Sequence, residues 1–504
     1  MNEPLPPMRA PGGTLWGYPK GVLLLSFTEL WERFSYFGML AILVLYLTTA
    51  VSAGGFGWPE TSALKLYGLY SGIAFTVPLI GGWIANNYWG ERRCILVGGL
   101  LIACGHALLA GPKFVPAFAA SFTGLDYHAL WLAADVPLGQ IFVDADVQVK
   151  LAAVAAAAGA DAASLVWVYR GIALSFLGGL AVIILGTMLL KPTISSIVGQ
   201  FFEQRDARRD GAFALFLVGI YIGEIAGVFI TGYLGERVAW HWGFAAAGVG
   251  MTFGLFVYVT QRQRYLGDLG VAPVGGGGSA LRALMNLTRE ERDRVTVILV
   301  QAAFTALYSA ALFQTGGLLT LFAKDYVDRD RWGWEIPASW FTTITSILFI
   351  VLTPMAATLW TRLAVRGRNP HTSVKLAWGL ILIGLAYGLL AALMFTYLRT
   401  PGATVSPLWL VAMYVLFGFS EVSVWAGQLS LCSRLAPRHL SAIFVGGWYI
   451  NIGVGTFLTG YLGALGYTWG IGQVFTLVAV GSIVAGVVVW ALTPTLTRLM
   501  HGVE

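Results

Sequence analysis

Long runs of apolar residues, separated by short polar segments, extend along almost the whole chain. Each run is long enough to cross a hydrocarbon core of about 30 Å as an α-helix, which rises about 1.5 Å per residue. The pattern predicts twelve membrane-spanning helices, at 21–49, 62–88, 93–113, 166–199, 210–234, 241–261, 294–323, 338–363, 374–398, 407–432, 439–464 and 470–493.

Two polar segments interrupt this series. Residues 262–293 contain Gly275–Gly278 and several arginines, the composition of a flexible linker, and they separate six spans from six. Residues 114–165 form an alanine-rich insert, whose charges argue against a further crossing and favour a structural cap or an added segment. The predicted parts are a tail (1–20), an N-terminal six-helix bundle (21–261) with an extracytoplasmic insert (114–165), a cytoplasmic linker (262–293), a C-terminal six-helix bundle (294–493) and a second tail (494–504).

Composition supports a membrane protein. Hydrophobic residues make up 57% of the chain and charged residues 11%, whereas an ordinary soluble chain is about a quarter charged. These values exclude a soluble multidomain enzyme and a disordered scaffold, and the long apolar runs exclude a barrel of short alternating strands. The three cysteines, Cys94, Cys104 and Cys432, have no metal-site or disulfide spacing, so no metal or other cofactor is expected.

The distribution of positive charge predicts the orientation. With a cytoplasmic N-terminus, 20 of the 31 Lys and Arg residues lie in cytoplasmic segments, 9 lie on the opposite side and 2 lie within the spans. Cytoplasmic loops normally carry this excess. We therefore expect a multi-pass protein of the cytoplasmic (inner) membrane with both termini in the cytoplasm. The net charge of +6 then reflects topology and gives no reason to expect a nucleic-acid partner.

Six charged residues are predicted to lie inside the spans. They are Glu29, Glu32, Arg33, Lys191, Glu224 and Glu421. Each charge at the centre of a span costs about 2.5–3.5 kcal/mol on insertion scales, so it requires a function or a partner. Four acids and two bases leave a surplus of negative charge, and a desolvated carboxyl group in such a cluster tends to hold a proton. This is the chemistry of a proton carrier.

The first span carries the most specific pattern. At about 100° per residue, Glu29, Glu32, Arg33 and Tyr36 fall on one face of a helix. Arg33 can pair with either carboxylate, and protonation of one acid would make the guanidinium available to an anionic ligand. The alternative is a fixed ion-pair network that only holds the helix in place.

Two further charges are candidates for a binding site. Lys191 precedes Pro192, and a kink there could present the ammonium to a cavity, where Glu421 of the opposite half would be its natural partner. Either charge could instead lie at a helix end and extend to the interface. Trp425 and Trp448 could line the same cavity, although packing within the bundle is nearly as well supported.

Six ordered segments resemble motifs of the proton-dependent oligopeptide transporters, a branch of the major facilitator superfamily. ELWERFSYFGM at 29–39 resembles the family's ExxERFxYYG motif in the first helix. The other segments are GGWIANNYWGERR (81–93), LGTMLLKPTISSIVGQFF (185–202), GWEIPASWFTTITSILFIVLTP (333–354), GFSEVSVWAGQLSLCSRLAP (418–437) and VGGWYI (445–450). A single ExxER motif would be weak evidence, but the ordered matches cover both halves of the chain.

This resemblance implies a major facilitator fold of twelve helices and uptake of di- and tripeptides driven by protons moving inward. It implies that Glu29, Glu32 and Arg33 couple protons to transport and that Arg33 and Lys191 bind the peptide carboxylate. It further implies a substrate site lined by Tyr36, Phe37, Tyr221, Gln314, Trp425 and Trp448, with Glu421 receiving the peptide ammonium. The implied partners are the peptide, protons and the lipid bilayer, with the chain acting as a monomer.

Several positions depart from the family pattern. Phe37 replaces the second tyrosine of the motif, Leu40 replaces an arginine, and Phe313 stands where the seventh helix usually has an acid. The loss of both charges is self-consistent, because they would pair across helices 1 and 7. Glu224 lies outside the family pattern, and it could replace the missing acid or lie at the lipid–water boundary.

The sequence is also compatible with other functions. Nitrate or a peptide-like drug could be the solute, and a membrane peptide sensor that does not transport is a further alternative. Retention of all the coupling residues favours transport over sensing, and Glu421 favours a peptide over a simple anion. No catalytic Ser–His arrangement, metal-ligand pair or phosphate loop supports an enzyme.

Overall fold

The computed structural model describes residues 9–137, 145–203, 206, 208–273, 287–437 and 441–503. Seventeen α-helices lie within these ranges: α1 Lys20–Thr48, α2 Glu60–Thr76, α3 Pro78–Ile84, α4 Glu91–Leu109, α5 Gly111–Thr123, α6 Tyr127–Ala134, α7 Ala145–Ala157, α8 Ala162–Gln200, α9 Arg208–Tyr233, α10 Trp240–Leu266, α11 Arg289–Leu312, α12 Leu318–Tyr326, α13 Thr343–Val365, α14 Thr372–Thr396, α15 Pro407–Leu435, α16 Ser441–Trp469 and α17 Ile471–Leu499. The described strands form two short hairpins, Thr14–Leu15 with Tyr18–Pro19 and Asp330–Arg331 with Trp334–Glu335.

Eleven helical segments of the described chain are long and apolar enough to cross a membrane. A further helix, α16, has 29 residues and corresponds to the predicted span at 439–464. The prediction of an all-α, multi-pass membrane fold is therefore confirmed.

Two predicted spans are interrupted. The second consists of α2, α3 and a π-helical turn at Ala85–Trp89. The seventh is broken between α11 and α12 by a 3-10 turn, Phe313–Gly316, followed by Gly317. These breaks matter because irregular backbone inside a membrane protein is tolerated where it is buried or lines a cavity.

The chain divides into two compact units. The first comprises the described residues of Met1–Ala63 and Ile80–Gly275, and the second those of Leu64–Leu79 and Gly276–Glu504. Most of α2 therefore belongs to the second unit, where Gly68 lies against Gly460 and Gly72 against Phe457. Helix α2 follows α1 in sequence, but its close neighbours lie in the unit formed by the second half of the chain.

The insert adds no described membrane crossing. Its helices α5, α6 and α7 have 13, 8 and 13 residues, too short to span about 30 Å. Helix α8, with 39 residues, is about 58 Å long and extends well beyond such a core. Helix α5 packs beside the first part of α8, where Gly111 approaches Ser175 and Val115 approaches Gly171.

Glycine contacts bring the helices of the first unit together. On α9, Gly219, Gly223 and Gly227 recur every fourth residue and face the backbone of α1. A Cβ at Gly223 would lie 2.1 Å from the carbonyl oxygen of Leu30, and one at Gly227 would lie 2.3 Å from that of Phe34. Small residues at this spacing allow close helix packing in membranes. Helix α9 therefore lies directly against the part of α1 that carries the charged motif.

Candidate functional site

A buried ion-pair cluster lies in the middle of α1. The Arg33 Nε atom is 2.9 Å from Glu29 Oε1, one turn earlier, and Arg33 Nη2 is 2.5 Å from Glu32 Oε2. Glu29, Glu32 and Arg33 are 3%, 1% and 4% exposed. One guanidinium thus binds two carboxylates in an environment that solvates charge poorly, as the helical spacing predicts.

The two carboxylates are incompletely satisfied. Glu29 Oε2 and Glu32 Oε1 have no hydrogen-bond partner among the described residues. A buried carboxylate oxygen without a donor is costly, and protonation or a ligand that supplies a donor would reduce that cost. The cluster is therefore able to accept a proton or to respond to a polar ligand.

Tyr36 connects this cluster with Lys191 on α8. The Arg33 guanidinium carbon is 5.6 Å from the centre of the Tyr36 ring, and Lys191 Nζ is 6.0 Å from the same ring. Phe37 completes the aromatic contact, with its ring centre 6.0 Å from Arg33. Lys191 also interacts electrostatically with Glu29 and Glu32. The structure thus brings together the predicted coupling residues and the predicted anion-binding cations within the first unit.

Pro192 and Gly81 explain how α8 is held beside α3. Pro192 lies inside α8 and cannot donate a hydrogen bond to the carbonyl of Met188. A Cβ at Gly81 would lie 1.7 Å from that oxygen, so only glycine permits this approach. The contact lies one turn before Pro192 and fixes the segment of α8 that carries Lys191.

Helix α9 adds a third acid near Arg33. Glu224 directly follows Gly223, which packs against α1. A Cβ atom at Gly223 would lie 3.1 Å from the Cβ atom of Arg33. Glu224 is close enough to act electrostatically on the Arg33 guanidinium, and Tyr221 lies one turn earlier on the same helix. This proximity agrees with an accessory acid, a role that stays a prediction.

The second unit holds Glu421 and Trp425 one turn apart on α15. Tyr308 of α11, which is fully buried, lies beside both: its ring centre is 6.0 Å from that of Trp425, and its hydroxyl interacts electrostatically with Glu421. The Ser420 hydroxyl is 3.1 Å from the Tyr308 hydroxyl. Tyr308 lies outside the recognised motifs, so no sequence pattern pointed to it.

The break between α11 and α12 is apolar where the family pattern has an acid. The Phe313 ring packs edge-on against the Phe75 ring, with the two ring centres 5.3 Å apart. The backbone carbonyl of Phe313 accepts a hydrogen bond of 2.8 Å from the Tyr67 hydroxyl. The neighbouring Gln314 is buried and donates a hydrogen bond of 3.0 Å to the Thr459 carbonyl. Aromatic packing thus occupies this position, and at least one Gln314 donor holds α16 in place.

Trp448 lies in a separate hydrophobic cluster of the second unit. It is 4% exposed and packs with Val297, Leu431 and Leu435. Its role as a pocket for substrate side chains stays a prediction, and the observed contacts are those of bundle packing.

Glu91, at the start of α4, is a buried carboxylate that the sequence did not single out. It accepts hydrogen bonds from the Ser196 hydroxyl and from Gln200 Nε2, the latter at 2.6 Å. Both donors lie on α8 after Pro192. Glu91 therefore holds the C-terminal end of α8 in place, and Lys191 lies about one turn before this anchored end.

The charged groups described above are of the types that bind ions and exchange protons. Within the described residues, no group of three or more His, Cys, Asp or Glu side chains is arranged to hold a metal ion. Near Arg33 the first unit offers a second cation, Lys191, and three carboxylates, those of Glu29, Glu32 and Glu224. The second unit offers Glu421 beside aromatic rings.

Comparison with known proteins places these features in a family. The model of the POT family matches residues 92–267 and 279–470. A di-/tripeptide transporter of Lactococcus lactis subsp. cremoris is 27% identical over 87% of both chains. An uncharacterised transporter of Bacillus subtilis, YclF, is 27% identical over 97% of this chain and 96% of its own.

Solved structures of transporters from this family have a similar fold. The crystal structure of a peptide transporter, POT, in complex with sulfate has a TM-score of 0.78 and 27% identity, with 98% of each chain covered. A POT family transporter in complex with 5-aminolevulinic acid has a TM-score of 0.79, at 21% identity, and supports the fold alone. The family model covers well over half of the sequence, and the chain belongs to the POT family of membrane transporters.

Proposed function

We propose that this chain imports di- and tripeptides across the cytoplasmic membrane by alternating access, in symport with protons. The observation that carries the proposal is the buried Glu29–Arg33–Glu32 cluster with Lys191 across the Tyr36 ring. The name of the Lactococcus lactis relative supports the choice of di- and tripeptides as substrates.

Charge balance explains why a peptide should enter with a proton. Glu29, Glu32, Arg33 and Lys191 sum to zero formal charge, and Glu224 adds one negative charge. A peptide carboxylate would add another. An uncompensated charge in such a region costs about 2.5–3.5 kcal/mol, or roughly a hundredfold in affinity. Binding of one proton to a carboxylate offsets the negative charge that the peptide carboxylate adds.

The ion-pair geometry suggests how protonation prepares the site. Arg33 pairs with two carboxylates at once. When Glu32 or Glu29 takes up a proton, its pairing with Arg33 weakens, and the guanidinium can form charge-assisted hydrogen bonds with the peptide carboxylate. Lys191 would supply a second cation for the same group. Peptide and proton then bind cooperatively, which is the requirement for symport.

The second unit would recognise the other end of a peptide. Glu421 offers a carboxylate for the peptide ammonium, and Tyr308 and Trp425 provide aromatic surface beside it. A site that recognises the two charged ends of a peptide can accept peptides with many different side chains. Such a site would discriminate against nitrate, which has no cationic group for Glu421.

Uptake of labelled dialanine into proteoliposomes tests this function. An inward proton gradient should drive accumulation, and unlabelled tripeptide, but not nitrate, should compete. Dialanine that binds without accumulating would support a sensor, and failure to bind any di- or tripeptide would refute the proposed substrate class while leaving the fold unchanged.

A further inference from the structure

A positively charged surface lies at the end of the second unit that carries the loop between α13 and α14. Lys375, in the first turn of α14, and Arg434, near the end of α15, interact electrostatically with each other. The excess of arginine in the connecting segments predicts that this end is cytoplasmic. Two like charges that repel each other, one of them on a half-buried side chain, raise the question of what balances them.

The chain after Glu335 supplies almost no negative charge to this surface. The acids at the start of α11 have partners of their own: Glu290 pairs with Arg294, Glu291 accepts a hydrogen bond from Thr288, and Asp293 contacts His501. Residues 336–503 contain one carboxylate side chain, Glu421, but eight Lys and Arg residues. Glu421 lies thirteen residues before Arg434 on the same helix, a separation of about 20 Å. In the described part of the chain, neither Lys375 nor Arg434 forms an ion pair with a carboxylate, although Lys375 donates a hydrogen bond to Asn369 at 3.0 Å.

The location of Lys375 is unfavourable without an anion. It lies in the first turn of α14, where the helix dipole disfavours a cation. Repulsion by Arg434 and partial burial add to that cost. A negatively charged ligand outside the chain would relieve all three effects.

Two tryptophans indicate that this ligand comes from the membrane. Lys375 Nζ lies 4.4 Å from the centre of the Trp360 ring, which in turn lies 6.4 Å from the ring of Trp378. Trp378 is 42% exposed. Tryptophan side chains concentrate at the level of the lipid headgroups, with an apolar ring face toward the acyl chains. Here Trp360 of α13 contacts Lys375, and Trp378 lies one turn after Lys375 on α14.

We propose that Lys375 and Arg434 bind the phosphate of an anionic phospholipid, with Trp360 and Trp378 contacting its glycerol and upper acyl chain. The site is separate from the peptide-binding function proposed above and does not depend on it. Basic pockets at the cytoplasmic side of membrane helices are suited to lipid phosphates.

The test compares lipids in purified full-length protein. Phosphatidylglycerol added to detergent micelles should raise the thermal unfolding midpoint more than phosphatidylcholine, and native mass spectrometry should show retained phosphatidylglycerol. Each of Lys375→Gln and Arg434→Gln should weaken phosphatidylglycerol retention about fivefold. Lys375→Arg should preserve most of it. Arg399→Gln, which removes the same charge three residues beyond the opposite end of α14, is the matched control and should have no effect.

Two results would overturn the assignment. One is equal phosphatidylglycerol retention by wild type and Arg434→Gln, whose exposed side chain can change without threatening the fold. The other is an equal rise of the unfolding midpoint with inorganic phosphate alone, which would identify a general phosphate site. Loss of peptide uptake would not bear on either outcome, because lipid retention is measured independently.

Discussion

Substitution of Gly223 by alanine tests whether close packing of α9 on α1 positions the charged cluster. The new methyl group would lie 2.1 Å from the Leu30 carbonyl oxygen, whereas ordinary contacts begin at 3.4 Å. The helices must therefore separate locally by about 1.3 Å. Forced overpacking of this kind costs about 1–3 kcal/mol.

The displacement should affect function more than folding. It moves Glu224 away from Arg33, and errors of about 1 Å in a functional site can reduce rates by a hundredfold. We expect gradient-driven dialanine uptake to fall at least tenfold, with the thermal unfolding midpoint lowered by only a few degrees. Tryptophan fluorescence during heating and uptake by proteoliposomes measure the two effects.

Gly178→Ala is the matched control. It also lies inside a helix of the first unit, but a Cβ there would meet no atom within 4 Å. Because alanine has the higher helix propensity, this variant should be as stable as wild type and fully active. Uptake by Gly223→Ala equal to that of Gly178→Ala would refute the role assigned to the α1–α9 contact.

Three further variants test individual charges. Lys191→Gln should raise the KM for dialanine about tenfold with less change in the maximal rate, because a uniform contact with the carboxylate is lost; an unchanged KM in initial-rate measurements would contradict this. Glu421→Gln should weaken dialanine competition but leave N-acetyl-dialanine unaffected, and equal losses for both would exclude ammonium recognition. Glu224→Gln should reduce gradient-driven uptake without lowering the unfolding midpoint, and wild-type uptake would show that this acid is dispensable.

Much of the fold was accessible from the sequence because lipid imposes simple rules. A span must be apolar for about twenty residues, so hydropathy alone locates most helices. The clustering of Glu29, Glu32, Arg33 and Tyr36 was also predictable. All four residues lie on one helix, and their spacing places them on the same face of it. Lys191 was identified because a charge in a span is rare.

The contacts between helices were less accessible. Periodicity does not indicate which helices are neighbours, so the placement of Leu64–Leu79 with the second unit had no signal in the apolar pattern. Tyr308 and Glu91 were missed because an ordinary tyrosine and a charge at a helix start gain importance only from the side chains beside them. The spacing of Gly219, Gly223 and Gly227 was visible in the sequence, and its small-residue pattern could have indicated a packing face.

The replacement of the usual acid by Phe313 has a mechanistic consequence. Its ring packs on Phe75, so this position holds neither a proton nor a peptide ammonium. Proton coupling is then assigned to the carboxylates of the first unit. This interpretation makes Glu32 the decisive residue, because it is the most deeply buried acid paired with Arg33.

The most direct test of this account separates coupling from transport in Glu32→Gln proteoliposomes. Counterflow exchange of dialanine requires binding and alternating access but no net proton movement, whereas accumulation requires a proton gradient. The account predicts that Glu32→Gln retains counterflow and loses accumulation driven by an inward proton gradient. Accumulation at the wild-type level in this variant would contradict the central claim that Glu32 takes part in proton coupling.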